Sequence, residues 1–120
     1  MNTYYLSEYI IRQNKGKLNH LQLQKILYLF ADEYVSTFCE RPFYEEFIWG
    51  KYGPNLKSVY AIYAPFGALP LTPFNNSPDW EPKGKIKIML DEIVSENLVL
   101  TARELILKTF EKTLDRPLNI

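Results

Sequence analysis

The sequence predicts a mainly α fold, a compact bundle of about five helices packed around one central apolar helix at about 19–39. Three observations carry that expectation. Apolar residues recur at spacings of three and four in five separate segments, the period of an amphipathic helix. One segment, Ile26-Leu27-Tyr28-Leu29-Phe30-Ala31, is apolar on every face, which suits a helix at the centre of a fold. Five of the eight prolines (Pro65, Pro70, Pro73, Pro78 and Pro82) fall within one stretch and mark it as a loop.

The elements follow in order. Thr3 to Lys15 reads as a first helix, with Leu6, Tyr9, Ile10 and Gln13 at helical spacing and Gly16 as its C-terminal cap. Asn19 is a candidate N-cap for the central helix, which runs to about Cys39 and stops at Arg41-Pro42. Along that helix Gln22, Lys25, Leu29, Asp32, Glu33 and Ser36 form one narrower, mostly polar stripe, expected to reach solvent or a partner. Phe43 to Lys51 is aromatic-rich and broken by Gly50, so a short strand or hairpin is expected near 43–50 and 67–74. Gly53-Pro54 reads as the start of a third helix, because proline suits the first helical position. Leu56, Val59, Tyr60 and Tyr63 give that helix an apolar face, and Pro65 and Gly67 close it. The loop over 65–84 is expected to pack down through Leu69, Leu71, Phe74 and Trp80. A fourth helix over Lys85 to Asn97 presents Ile86, Met89, Leu90, Ile93 and Val94. Thr101 and Glu104 are spaced as a capping box and open a fifth helix through about Leu114, with Leu105, Ile106, Thr109 and Phe110 inward.

Length and composition bound the rest. The 120 residues, 47% of them hydrophobic, suit a single domain over 1–120. A domain of this size buries about two-thirds of its unfolded surface and needs no staple. Charges balance at 14 basic and 14 acidic residues, whereas a dedicated nucleic-acid binder needs a basic surplus. Cys39 is the one cysteine, so no intramolecular disulfide can form, and it reads as a small hydrophobe in a reducing compartment. No apolar run approaches the ~20 residues that span a bilayer. The first residues lack the charged start and apolar run of a signal peptide. The expected location is the cytoplasm, with no membrane partner.

Common catalytic constellations are missing. His20 and Cys39 are the only residues of their kinds. On one helix they stand roughly 28 Å apart at about 1.5 Å per residue, beyond the hydrogen-bond reach of a Cys–His dyad. One His and one Cys cannot make the usual zinc site, and no metal or cofactor is expected. Asp32-Glu33, Glu45-Glu46 and Asp91-Glu92 are sequence neighbours and read as surface charge. No phosphate-binding glycine motif or nucleophile elbow occurs. The chain is not expected to be an enzyme. What stands out is aromatic content: two Trp, nine Tyr and seven Phe, or 15%. Phe30 and Phe110 suit the core. Eighteen such residues are hard to bury in one small domain, so some of Tyr44, Tyr52, Tyr60, Tyr63 and Trp80 should reach the surface, where tyrosine and tryptophan favour protein interfaces.

Three segments together resemble the Panacea domain, the SocA/GepA-like phage-associated family. Leu21-Gln22-Leu23-Gln24-Lys25-Ile26-Leu27-Tyr28 is similar to the family's L-x-L-Q-K-L-L-Y helix. Pro42-Phe43-Tyr44, then Lys51-Tyr52-Gly53-Pro54 and Val59-Tyr60, resemble its P-L-F, Y-G-P and V-Y run. Leu90-Asp91-Glu92-Ile93 and Thr101-Ala102-Arg103-Glu104-Leu105 resemble its closing helices. Trp49 stands one position earlier than the family's tryptophan, and Gly50 takes that place. The resemblance implies a helical antitoxin that neutralises, by direct binding, a cognate protein toxin encoded by the adjacent gene. The alternative is a phage- or prophage-encoded adaptor that presents a partner to a protease, or another protein-interaction module. Some members carry an appended helix-turn-helix; this chain has no length for one, so direct DNA binding is not expected. The candidate partner-binding residues are Gln22, Lys25, Tyr52, Gly53, Pro54, Tyr60 and Tyr63.

Overall fold

Five helices and one small hairpin succeed one another in the computed structural model, which describes residues 1–118. They are α1 (Thr3–Gln13), α2 (His20–Phe38), β1 (Ile48–Gly50), β2 (Gly53–Asn55), α3 (Lys57–Tyr63), α4 (Gly84–Leu98) and α5 (Ala102–Phe110). A single 3-10 turn, Ala64–Phe66, extends α3. The fold is mainly α, and the final two residues of the expected domain lie outside the described part.

α2 occupies the centre. Nine consecutive residues, Leu23 to Ala31, are buried, as an all-round apolar surface requires. α1, α3, α4, α5 and β2 all pack against it. Its start is fixed by a reciprocal capping box: the Gln22 N–H donates to Asn19 Oδ1 at 2.9 Å, and the Asn19 N–H donates to Gln22 Oε1 at 2.8 Å. It ends at Cys39, which is exposed and takes the left-handed conformation, φ 57°. Thr101 and Glu104 cap α5 in the same reciprocal way.

The hairpin differs from its expected place. β1 falls inside 43–50, but its partner is β2, in register Ile48 with Asn55, Trp49 with Pro54 and Gly50 with Gly53. The segment 67–74 forms no strand; it docks through single bonds, the Leu71 N–H donating to the Leu18 carbonyl at 2.8 Å and the Phe74 N–H to Glu8 Oε1 at 2.9 Å. Gly53-Pro54 therefore begins no helix. Gly53 has φ +94°, outside the helical region, and α3 starts three residues after Pro54. A proline is tolerated in this strand because a two-stranded sheet consists of edges.

α5 stops at Phe110, earlier than Leu114. The chain turns there, and the Leu114 carbonyl accepts from the Tyr28 hydroxyl at 3.0 Å and the Trp49 indole at 3.1 Å. Asp115, at φ 55°, holds the Arg41 guanidinium with two hydrogen bonds, at 2.9 and 2.8 Å, and accepts the Phe47 N–H at 2.9 Å. A continued helix would carry both acceptors away from these donors.

The proline-rich loop is pinned at several points. Arg12 donates to Ser77 Oγ and to the Trp80 carbonyl. Glu8, fully buried on α1, accepts the Phe74 N–H and the Tyr63 hydroxyl. Leu71 is buried and the Phe74 ring stacks on Tyr63, but Leu69 faces solvent.

Leu27→Ala is expected to lower folding stability by roughly 2–5 kcal/mol, the range for truncating a buried leucine. Urea denaturation measures it; a loss well under 1 kcal/mol would contradict the central position of α2.

Candidate functional site

The site grows from two polar residues in the apolar centre of α2. Gln24 and Lys25 are each 1% exposed. The Gln24 side-chain amide pairs with the backbone of Leu56 in both directions: its Nε2 donates to the carbonyl at 3.1 Å, and its Oε1 accepts the N–H at 2.8 Å. Lys25 Nζ donates to the Pro54 carbonyl at 3.0 Å and to Asn55 Oδ1 at 2.9 Å. Gly53 lies against the same lysine; a Cβ there would meet Thr109 Oγ1 at 2.9 Å and Lys25 Cε at 3.3 Å. The segment 53–56 is thereby held to α2 by side chains that reach its backbone.

Above this contact lies a groove of about 440 Å³, walled by the start of α2, the hairpin, α3, Ala68 and Ala102. His20, Gln24, Lys25, Tyr52, Asn55 and Tyr60 all border it. The His20 ring sits 5.5 Å from the Tyr60 ring, and Gln24 Nε2 lies 3.1 Å from His20 Nε2. The Gln24 nitrogen can only donate, so His20 Nε2 is the acceptor. Burial, reinforced by the Lys25 charge, lowers the His20 pKa and favours this neutral ring. A shallower concavity of about 210 Å³ continues the groove past Asn55 and Tyr60 to Ile48 and Lys57. Tyr52 is 57% exposed, Tyr60 56% and Ile48 60%, so large apolar surface rims a depression whose floor is hydrogen-bonded to α2.

The structure divides the residues expected at the partner surface. Tyr52 and Tyr60 are exposed at the rim of the groove. Gln22 is half-buried and committed to the cap of α2. Lys25, expected on a solvated stripe, is buried and reaches the groove only from its floor. Gly53 and Pro54 are buried in the contact with α2. Tyr63 is fully buried, its phenol bonded to Glu8; burial and that carboxylate push its pKa up. Helical spacing placed Tyr63 beside Tyr60 without revealing that Glu8 waits inside to accept its hydroxyl. The rest of the polar stripe, from Leu29 to Ser36, borders a separate concavity of about 340 Å³ facing α4 and α5.

Sequence reasoning missed Gln24, Asn55 and Ile48. A signal existed for the first: Gln24-Lys25 is a polar pair inside an otherwise apolar run, which asks for internal partners. Of the carboxylates read as surface charge, Glu45 instead accepts the Ser58 N–H at 3.0 Å and its hydroxyl, and Asp91 accepts the Tyr9 hydroxyl at 2.7 Å. No family model matches the chain, and no curated protein or solved structure matches it.

Burial pulls the Lys25 pKa from 10.5 down to about 8. The unfolded chain keeps the proton to about 10.5 and the folded chain releases it near 8, so this residue makes stability rise with pH between those values. The gain is at most about 1.4 kcal/mol per pH unit. Unfolding free energies of wild type and Lys25→Met from pH 7.5 to 10 isolate it: the wild-type value minus the variant value should rise across that window. A constant difference would mean that the folded chain keeps the proton. Gly53→Ala should lower stability by roughly 1–3 kcal/mol, through the strained φ and the approach to Thr109. A melting temperature equal to wild type would contradict the tight contact.

Proposed function

We propose that this chain is a non-catalytic, protein-binding antitoxin that acts in the cytoplasm by occupying a toxin encoded by the adjacent gene. The observation that carries the reading is the rim of Ile48, Tyr52 and Tyr60 around a preformed groove. Large exposed side chains of this kind, set on backbone that does not need ordering, lose little entropy on association. Interface hot spots favour tyrosine for its rigid area and polar tip. The motif resemblance to the Panacea domain points to the same class of activity. Among the described residues no helix is long and apolar enough to cross a membrane.

Co-expression with the neighbouring reading frame tests the reading. That frame alone should arrest growth, and this chain should restore it by forming a complex with its product. A harmless neighbour, or a toxic one that this chain fails to rescue, would sink the proposal. Tyr52→Ala and Tyr60→Ala should each weaken the complex by more than about 1 kcal/mol while leaving the melting temperature near wild type. Tyr63→Ala should instead destabilise the fold, because Glu8 loses its buried donor.

A further inference from the structure

We infer that the groove takes an acidic side chain, an aspartate or glutamate within an apolar segment of the partner protein, and seats its carboxylate against Lys25. The inference rests on the protein-binding reading and narrows it to one recognition chemistry.

Lys25 is buried and lines the groove. A protonated amine has three N–H donors, and the fold satisfies two of them, at Pro54 and Asn55. Both acceptors are neutral. The ion pairs among the described residues join Arg41 to Asp115, Lys83 to Glu81 and Lys87 to Asp91, so Lys25 has no carboxylate of its own. Buried lysines are almost always paired, and this one lacks the counter-charge that would offset its desolvation.

The chain as a whole is neutral, yet neither concavity is lined by a single Asp or Glu. The charged residues bordering them are Lys25 and, at the far end, Lys57. Leu21, Tyr52, Tyr60 and Ala68 give the groove apolar surface beside Lys25, which suits apolar residues flanking the carboxylate. The two concavities share Asn55 and Tyr60, so a chain segment can lie across both, and the carboxylate assigned to Lys25 is that of a side chain within it.

Capped apolar pentapeptides provide the test: one with a central glutamate, one with glutamine, and a third with glutamine and a free C-terminal carboxylate. Each is titrated into the 15N-labelled protein and followed by NMR. The glutamate peptide should shift groove signals and bind at least about tenfold more tightly than the glutamine peptide, the effect of a charged hydrogen bond. Lys25→Met should abolish that preference, and Ala68→Trp should block the site. Equal affinities, shifts confined to other surfaces, or no binding would overturn the inference. Equal binding by the free-terminus peptide would overturn the choice of a side chain. If Lys25→Met fails to fold, the wild-type comparison and Ala68→Trp decide. Growth rescue that persists while the glutamate preference is absent removes this inference alone. Failed rescue with the preference present removes the antitoxin reading alone.

Discussion

Two buried polar side chains in the first half of α2, Gln24 and Lys25, hold the hairpin in place. Pro54 and Leu56 are buried against α2, where the carbonyls of both and the Leu56 N–H need partners within the protein. Gln24 and Lys25 supply those bonds from the helix side. Removing either partner would leave buried backbone groups unpaired, at about 1–3 kcal/mol each. The same contact sets the start of α3, whose N-cap residue Leu56 has no side-chain cap of its own. Fixing 53–56 therefore also fixes where Tyr60 emerges and where Tyr63 turns inward.

The helices were legible because their signals are local. Asn19 with α2, and Thr101 with Glu104 for α5, mark starts that the fold uses. The apolar faces of α1 and α4 agree with period 3.6. What escaped the sequence depends on distant partners. Gly53-Pro54 has the chemistry of a helix start, and only the reach of Lys25 across 29 residues makes it a strand. The end of α5 escaped for a similar reason, since donors on Tyr28 and Trp49 claim the Leu114 carbonyl. At the site, exposed tyrosines could be anticipated from aromatic surplus, but their sorting into Tyr60 outside and Tyr63 inside could not. Glu8 decides it, and a lone glutamate on an amphipathic helix reads as surface.

Two of the motif segments, Gln24-Lys25 and Tyr52-Gly53-Pro54, meet each other inside the fold. Most of their residues form a joint, and only Tyr52 is left facing out. A joint of this kind serves binding indirectly. It makes the groove floor stiff, so that the rim residues need no ordering when a partner arrives. The glycine is part of the same device, since its missing Cβ lets the strand approach Lys25 and Thr109.

The clasp between Leu114 and Tyr28 joins residues 86 positions apart. During synthesis α2 appears early and α5 late. At roughly 5–20 residues per second, the most apolar helix of the chain waits about 4–17 s for its last cover. A nascent chain at this stage presents Leu23 to Ala31 without α4 or α5 across them. The contact order that gives the finished domain its closed core thus also defines an interval in which the growing chain leaves its most apolar helix partly uncovered.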